Sequence, residues 1–422
     1  RILWVLPFVP WPVKVRSFNL IPRLAARHEI DLVCVARSPD DFDRLETIAG
    51  CCASVRTGTY SRAGGLARSL LSLPTPTPLR VSYVSSPSMR GEVRAAIAQN
   101  RPDVICVERW RALQYVPLGT AVSIVCDPTD SMALYNLRLM KAGRPWERLL
   151  GLAEYLKFRR FEPRLARRVA ATVFCSRADL DFVRQGAPDA NLVQIPNGVD
   201  CNLFSPRRPG EEQTADIFFS GNFLYSPNRD AVRFFLKAIF PLVRQAIPDA
   251  TFTVVGNGAA KFMAGKRARI PGVRVFDFVP DLRAHLARAS VAVAPMRVGA
   301  GVSNKLLEAF AVGTPTVSTR MASGDLPVRD GEHLFLADGE SLFAERVILL
   351  LKSPDRRRSM AARAQTLVKN TFDWEIVSRS MEDVLYGAAL SPAQAWARST
   401  TTQPTASAAA MAAPASLRAD RT

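Results

Sequence analysis

Residues 291–317 read VAVAPMRVGAGVSNKLLEAFAVGTPTV, and they are the most informative segment of the chain. It opens with a short apolar run typical of a buried strand, and a loop containing Gly299 and Gly301 follows. Ser303 is a residue type that commonly precedes a helix, and Gly313 is a type that commonly follows one. The stretch therefore predicts a strand, a glycine-bearing loop and a helix, which together form the repeating unit of a parallel α/β sheet.

The amino end of this predicted helix has the chemistry of an anion site. The first backbone N–H groups of a helix have no partner within it, and the helix dipole adds partial positive charge, so such ends bind phosphates. Lys305, in the first turn, adds a full positive charge. Glu308 lies one turn further along, on the same face as Asn304 and Lys305. A carboxylate there can accept hydrogen bonds from both hydroxyls of a ribose.

Apolar runs alternate with helical periodicity along most of the chain. We predict strands at 2–6, 30–36, 103–107, 122–126, 171–175, 192–195, 216–220, 251–256, 273–276, 290–294 and 314–318. Continuous apolar strands separated by helices are typical of parallel sheets covered on both faces. The pattern resets across a polar segment near 196–213. The fold class that we predict is therefore α/β, with two doubly wound Rossmann-like domains facing each other across a cleft.

The predicted organisation divides the chain into four parts. A first Rossmann-like domain covers residues 1–200, and a second covers 201–372. A C-terminal helix at 373–390 is expected to pack back on the first domain. The tail at 391–422 is rich in Ala, Thr, Ser and Pro and almost lacks large apolar residues. Such a composition cannot offset its ordering entropy by burial, so we expect disorder there.

The net charge of +18 over 422 residues implies attraction to something anionic. Basic residues are not interleaved with aromatics, and no helix-turn-helix or zinc-finger pattern is present, so we expect no nucleic acid partner. The densest basic run lies at 156–168, where apolar residues at 149, 152, 153, 156 and 165 are compatible with one helical face. Two interpretations stay open: a helix lying on an anionic membrane surface, or a solvated helix covering the sheet.

The sequence favours a reducing compartment. No stretch approaches the roughly 20 apolar residues needed to span a bilayer, and no secretory signal pattern is present. The seven cysteines form no CxxC pair, and several lie within apolar runs, which favours reduced thiols over disulfides or metal ligands. We expect a cytoplasmic protein, with peripheral contact at the inner face of the cytoplasmic membrane as the open alternative.

Residues 291–317 resemble the donor-binding motif of glycosyltransferase family 4, whose members have the GT-B fold. The segment AFAVGTPTV at 309–317 fits the ending of that motif closely. Further matches occur in the family's order: PNGVD at 196–200, GN at 221–222, VGNG at 255–258, DFV at 277–279 and FDW at 372–374. The resemblance covers about residues 1–390. The opening region at 10–18 also resembles a subgroup of sugar transferases linked to bacterial exopolysaccharide assembly.

The resemblance implies a retaining hexosyltransferase that moves a sugar from a nucleoside diphosphate donor to a glycan or lipid-linked acceptor. The departing diphosphate would help to deprotonate the acceptor, so neither an enzyme nucleophile nor a metal or cofactor is expected. The first domain would be the acceptor side and the second the nucleotide-sugar-binding side. The donor-binding residues that we predict are Gly221, Asn222, Val279, Gly299, Gly301, Val302, Ser303, Asn304, Lys305 and Glu308.

Four residues are predicted to be catalytic: Lys305, Glu308, Asp127 and Asp130. The two aspartates follow a strand of the first domain, where ligands bind in doubly wound sheets. They either orient an acceptor hydroxyl or cap the next helix, and the sequence leaves both open. Lys14 and Arg16 are predicted on the acceptor side.

One departure from the family bears on activity. Family members usually carry two glutamates eight positions apart, and here the earlier position is Ala300. A catalytically silent nucleotide-sugar-binding or scaffold protein is therefore the alternative function. A dinucleotide-dependent oxidoreductase is disfavoured because no GxGxxG opens the first domain.

Overall fold

The computed structural model describes residues 1–390 apart from 13, 143–144, 207–214, 266–269, 278, 280, 299–302 and the side chains of 141–147. The predicted disordered tail at 391–422 lies outside the described residues. The strands are β1 (Ile2–Leu6), β2 (Ile30–Val35), β3 (Ser54–Gly58), β4 (Val104–Glu108), β5 (Ser123–Thr129), β6 (Ala171–Phe174), β7 (Leu192–Gln194), β8 (Asp216–Ser220), β9 (Thr251–Val255), β10 (Val273–Phe276), β11 (Val291–Ala294), β12 (Thr316–Ser318) and β13 (Phe335–Leu336).

Helices connect these strands. They are α1 (Val15–Ala25), α2 (Pro39–Ala49), α3 (Arg62–Leu71), α4 (Leu79–Tyr83), α5 (Pro87–Asn100), α6 (Met132–Ala142), α7 (Pro145–Ala166), α8 (Arg177–Arg184), α9 (Ser226–Phe234), α10 (Phe240–Ala246), α11 (Ala259–Met263), α12 (Leu282–Arg288), α13 (Asn304–Val312), α14 (Arg320–Ser323), α15 (Glu340–Lys352), α16 (Pro354–Thr371) and α17 (Trp374–Ala389). A 3₁₀ turn covers Trp110–Tyr115, and a π-helical turn covers Phe235–Ile239.

Two parallel sheets organise the chain, which confirms the predicted fold class. The first sheet has the order β3-β2-β1-β4-β5-β6-β7, and the second has the order β10-β9-β8-β11-β12-β13. Strand β1 lies inside the first sheet, and all five of its residues are buried. Leu3 and Val5 face one apolar cluster, whereas Ile2, Trp4 and Leu6 face another. Burial on both faces explains why these strands read as continuous apolar runs.

The sequence pattern missed two edge strands. Strand β3 has the sequence SVRTG, and only its last residue is buried. Strand β13 has two residues. Edge strands bury less surface than central ones, so their sequences lack the apolar runs on which the prediction depended.

The last helix packs against the first sheet. Trp374, Met381 and Leu385 of α17 lie in the same apolar cluster as Trp4 of β1. The chain crosses between the sheets where Val199 donates to the Phe372 carbonyl oxygen at 2.8 Å. Because α17 completes the core beside β1, the first domain depends on residues from both ends of the described chain.

Helix α7 does not have the single apolar face expected from the sequence. Leu165 is buried, whereas the side chains at Leu149, Leu152 and Leu156 are exposed by 72%, 43% and 52%. The grouping of position 165 with 149, 152, 153 and 156 was therefore wrong, because position 165 lies about two and a half helical turns beyond 156 and so on the opposite side of α7. Within the described part of the chain, no helix combines the length and hydrophobicity that a bilayer crossing requires.

Candidate functional site

The amino end of α13 lies within residues 291–317, the segment that resembles the donor-binding motif. Ser303 occupies the position before the helix, and Gly313 closes it with a φ of 80°. The Ser303 side chain makes no capping hydrogen bond, so the helix start lacks the side-chain cap that this residue type favours. Leu306 and Phe310 bury the opposite face of the helix. The predicted contacts Gly299, Gly301 and Val302, and the departure at Ala300, lie outside the described residues.

Lys305 holds its ammonium group over the second sheet. Its Nζ donates to Asn228 Oδ1 at 3.2 Å and lies 5.0 Å from the centre of the Phe219 ring. No carboxylate lies within the 4.0 Å ion-pair distance of this Nζ in the described portion of the chain. Burial lowers the pKa of Lys305 to about 8, because no full counter-charge compensates for lost hydration. The geometry leaves a partly desolvated cation that an anionic ligand would stabilise.

Glu308 lies one turn beyond Lys305 and shares its environment. Burial raises the pKa of Glu308 to about 7, and the charge on Lys305 opposes that rise. Within the described part of the molecule, no side chain donates a hydrogen bond to its carboxylate. Both ionisable groups of this helix face are therefore held near the point of charge change at neutral pH. Perturbation of this kind is typical of ligand-binding and catalytic sites.

Asn228 connects Lys305 to the loop after β8. Its Nδ2 donates to the Asn222 carbonyl oxygen at 2.9 Å while its Oδ1 accepts from Lys305. The Asn222 side chain itself turns back on the loop, because its Oδ1 accepts from Leu224 N at 2.9 Å. The structure thus joins the predicted Gly221–Asn222 loop and the predicted lysine through a residue that the sequence analysis did not select.

Two glycines meet where β8 and β9 end. Gly221 N donates to the Val255 carbonyl oxygen at 3.0 Å. Gly256 has a φ of 145°, and a Cβ built on it would lie 1.9 Å from the Gly221 carbonyl oxygen. The loop that carries Gly221 and Asn222 can therefore hold its position only if residue 256 has no side chain.

We expect Gly256→Ala to lower the free energy of unfolding by at least about 2 kcal/mol, since the methyl group must displace backbone. The matched control is Gly258→Ala, where φ is 79° and the nearest atom lies 3.7 Å from the added Cβ. That control has backbone strain alone and should cost about 1 kcal/mol. Urea unfolding measures both, and equal losses would contradict the steric explanation.

Val279 occupies the remaining predicted donor position. It is half-buried and packs against the small cluster that contains Phe218 and Val312. The residues on each side of it, 278 and 280, are outside the described part. The position of Val279 therefore connects the loop after β10 to the carboxyl half of α13.

Arg16 and Asp127 form a buried ion pair in the first domain. Arg16 Nε lies 2.5 Å from Asp127 Oδ2, and their side chains are 3% and 0% exposed. Burial works against the charge on Arg16, but Asp127 outweighs it and raises the pKa of the guanidinium. Asp127 Oδ1 also accepts from Thr129 N at 3.2 Å. Both side chains face protein on all sides, which favours a positioning role over direct contact with an acceptor.

A second carboxylate, Glu108, accompanies this pair and was not selected from the sequence. It ends β4 directly opposite Asp127 on β5. Burial raises the pKa of Glu108 to about 7, and the neighbouring Asp127 adds to the rise. Its Oε2 is buried without a hydrogen bond. The next residue, Arg109, has a φ of 74°, a left-handed conformation that costs free energy in a residue with a side chain.

Asp130 and Lys14 lie at the rim of this cluster. The Asp130 side chain is 35% exposed and lies 3.6 Å from Arg109 Nη1. Burial raises the pKa of Asp130 despite that arginine. Burial and the positive charge of Arg109 lower the pKa of Lys14.

Neither aspartate caps α6, because Ser131 Oγ accepts from Leu134 N at 3.1 Å. The capping alternative was therefore wrong, while acceptor contact by Asp130 stays a prediction.

Asn197 connects the two halves of the site. Its Nδ2 donates to Asn304 Oδ1 at 3.3 Å, at the first residue of α13. Its own Oδ1 accepts from Arg16 Nη1 at 3.3 Å. A continuous chain of contacts therefore runs from Asp127 through Arg16 and Asn197 to α13. The amino end of α13 consequently faces the first domain.

Sequence reasoning missed three polar residues of this arrangement: Glu108, Asn197 and Asn228. The signal for Glu108 was available, since it ends an apolar strand at the same edge as Asp127. Asn197 stood within the quoted PNGVD segment but was not assigned a role. Asn228 gave no local signal, because its partner Lys305 is 77 residues away. Among the described residues, no group of three or more His, Cys, Asp or Glu side chains is arranged to hold a metal ion.

Two family models match consecutive parts of the chain. The model described as "Glycosyl transferase 4-like domain" matches residues 13–198, and "Glycosyl transferases group 1" matches residues 214–353. Phosphatidyl-myo-inositol mannosyltransferase of Mycobacterium tuberculosis is 30% identical over 201 residues, which is 45% of this chain and 52% of that protein. The chain thus spans about half the length of these curated relatives.

Solved structures share the architecture at low identity. The crystal structure of Anabaena HepE in complex with UDP and glucose has a TM-score of 0.65 and 16% identity, covering 91% of this chain and 99% of that one. WaaG, described as a glycosyltransferase involved in lipopolysaccharide biosynthesis, has a TM-score of 0.62 and 14% identity, covering 92% and 99%. At these identities the similarity establishes two Rossmann-like domains in a GT-B arrangement.

Proposed function

This chain belongs to the family 4 glycosyltransferases of GT-B fold, and we propose that it moves a sugar from a nucleoside diphosphate donor to a glycan or lipid-linked acceptor. The proposed setting is polysaccharide biosynthesis, and the proposed stereochemical course is retention at the anomeric carbon. Support comes from the family and from relatives that include a mannosyltransferase and a structure holding UDP.

One observation carries the proposal: the Lys305 ammonium is partly desolvated at the amino end of α13 and has no carboxylate within ion-pair distance among the described residues. A diphosphate bound there would supply the missing counter-charge and accept hydrogen bonds from the first N–H groups of the helix. Glu308, on the same face, would accept from the ribose hydroxyls. In this proposal, the first turns of α13 both bind the nucleotide and stabilise the departing diphosphate.

In the proposed mechanism, the second domain stabilises the charge that develops on the departing diphosphate. Lys305 and the amino end of α13 do this without a metal ion. The acceptor hydroxyl enters from the first domain, where Asp130 and Lys14 lie at the rim of the cluster around Glu108 and Asp127. The acceptor oxygen bonds to the anomeric carbon on the face from which the diphosphate oxygen departs, and the diphosphate takes the acceptor proton. Bond formation and bond breaking on the same face account for retention. Closure of the cleft would exclude water and strengthen each of these interactions.

The experiment that tests this function is Glu308→Gln, which keeps the side-chain shape and removes the carboxylate. We expect kcat/KM for sugar transfer to fall about tenfold to hundredfold, which corresponds to roughly 1–3 kcal/mol of lost hydrogen bonding. The assay supplies a panel of labelled nucleotide sugars with a bacterial membrane extract as acceptor source. Glu345→Gln, at an exposed position of α15, is the matched control and should leave transfer unchanged.

Two results would count against the proposal. Tight binding of nucleotide sugars with no turnover across the panel would favour the catalytically silent protein. Unchanged kcat/KM in Glu308→Gln would show that the Glu308 carboxylate does not bind the ribose hydroxyls as proposed.

A further inference from the structure

The exposed side of α7 has an unusual composition. From residue 148 to the end of the helix, every exposed residue is either leucine or arginine: Arg148, Leu149, Leu150, Leu152, Leu156, Arg159, Arg160 and Arg164. The two acidic residues in the same span, Glu154 and Glu162, are 1% and 0% exposed. From residue 148 onward, the outer face of this helix therefore combines apolar side chains with positive charge and exposes no carboxylate.

Helix α3 and the loop after it have the same character. Four leucines there are more than half exposed: Leu66 59%, Leu70 59%, Leu71 76% and Leu73 53%. Arg62 and Arg80 are exposed at the two ends of this segment. The sequence contains no Asp or Glu from position 47 to position 91. This segment thus presents leucines and arginines without an acidic residue in its own stretch of sequence.

Polar contacts hold the two elements together. Lys157 Nζ on α7 donates to the carbonyl oxygens of Ser72 at 2.6 Å and Leu73 at 3.1 Å, just past the end of α3. Glu154 Oε1 on α7 accepts from Leu79 N at 2.7 Å. Leu73 therefore lies beside the turn of α7 that carries Leu156. We name the exposed leucines and arginines of α3, its following loop and α7 the leucine–arginine surface.

Exposed leucines are ordinary when scattered, but a group on neighbouring elements marks an interaction site. The leucines at 149, 152 and 156 follow helical spacing and so share one face of α7. Arg159 and Arg160 extend that face toward the carboxyl end. Long arginine side chains can place their charge at lipid phosphates while leucines enter the acyl boundary. A bilayer with anionic headgroups can contact the arginines through its phosphates and the leucines through its acyl chains.

We propose that the leucine–arginine surface docks this protein on an anionic lipid bilayer. Charge decides between this occupant and a protein partner, because none of the exposed residues described on this surface is acidic and the chain carries a net charge of +18. Helix α6, which packs along α7, begins two residues after Asp130. A docked protein would therefore hold the acceptor side of the cleft close to the membrane. This docking does not depend on the donor assignment.

The test uses the full chain and vesicles of phosphatidylglycerol and phosphatidylcholine, with pure phosphatidylcholine vesicles for comparison. We expect flotation with the anionic vesicles, weakened by salt, and little with the neutral ones. Arg159→Glu with Arg160→Glu should lower the partition coefficient at least about tenfold, since each basic residue contributes about fivefold. Leu152→Asn with Leu156→Asn should lower it at least about tenfold as well.

The matched control changes the same charge elsewhere. Arg356→Glu with Arg363→Glu alters two exposed arginines of α16 and should leave vesicle binding within about twofold of wild type. Nucleotide-sugar binding should be unchanged in every one of these variants, which separates docking from the donor site. Failure of the wild-type protein to float with anionic vesicles would overturn the proposal. So would a dimer in solution that the leucine variants convert to monomer without any effect on vesicle binding.

Discussion

Asp127→Ala is expected to lower the free energy of unfolding of the first domain by about 3–5 kcal/mol, the largest stability effect that we predict. The substitution leaves the Arg16 guanidinium buried, at 3% exposure, without the carboxylate that compensates its charge. It also removes the acceptor for the N–H of Thr129, the last residue of β5, which has a φ of 72°. Urea unfolding followed by tryptophan fluorescence and circular dichroism measures this loss, with the two domains resolved as separate transitions where they differ.

A double replacement separates the ion pair from the site as a whole. Arg16→Met with Asp127→Leu removes both charges and should recover most of the lost stability, because an apolar pair of similar size needs no counter-charge. The matched control, Asp130→Ala, changes a side chain that is 35% exposed and should cost less than about 1 kcal/mol. If Asp127→Ala folds as stably as wild type and loses only sugar transfer, then Asp127 contacts the acceptor and the positioning role is wrong.

Lys305→Met is expected to reduce nucleotide-sugar affinity about tenfold to hundredfold while stabilising the ligand-free protein. Loss of charge-assisted hydrogen bonds to a diphosphate accounts for the weaker binding. Calorimetric titration measures it, with Lys305→Arg as the control that keeps the charge. Equal affinity in wild type and Lys305→Met would remove the phosphate contact from the proposed function.

The stability gain follows from the direction of the pKa shift. The pKa of Lys305 falls from 10.5 to about 8 on burial, so the protonated lysine destabilises the folded state. That cost is absent above pH 10.5, grows as the pH falls, and is fully present below about pH 8. At pH 7 the methionine variant should therefore be more stable by roughly 1–2 kcal/mol, after allowance for partial exposure. Thermal unfolding without ligand measures the difference, which should vanish at high pH.

The same two groups set a pH window for donor binding. Wild-type affinity for a nucleotide sugar should decline as the pH rises through about 8, where Lys305 loses its proton. It should also decline as the pH falls through about 7, where Glu308 gains one and can no longer accept from both ribose hydroxyls. Lys305→Arg should remove the alkaline decline, because arginine stays protonated throughout this range.

The grouping of the residues proposed for donor binding could be predicted from the sequence, because they are close neighbours in the chain. Ser303, Asn304, Lys305 and Glu308 lie within one and a half helical turns, so spacing alone brings them to one end and one face of α13. The residues proposed for the acceptor side were harder to predict from the sequence. Arg16 is separated from Asp127 by 111 positions, and the pattern around Arg16 gave no sign that it would turn inward.

Length and apolar periodicity were enough to predict the fold class of this protein: two parallel sheets, their central strands, and the helix of the second domain that carries Lys305 and Glu308. Those features depend on hydrophobic burial and helix geometry, which act over a few neighbouring residues. Only the tertiary structure decided which charges are buried, that Asn197 connects the two halves of the site, and that the leucines of α3 and α7 share one exposed surface. These outcomes depend on packing between segments far apart in the chain, and no local pattern encodes such a partner.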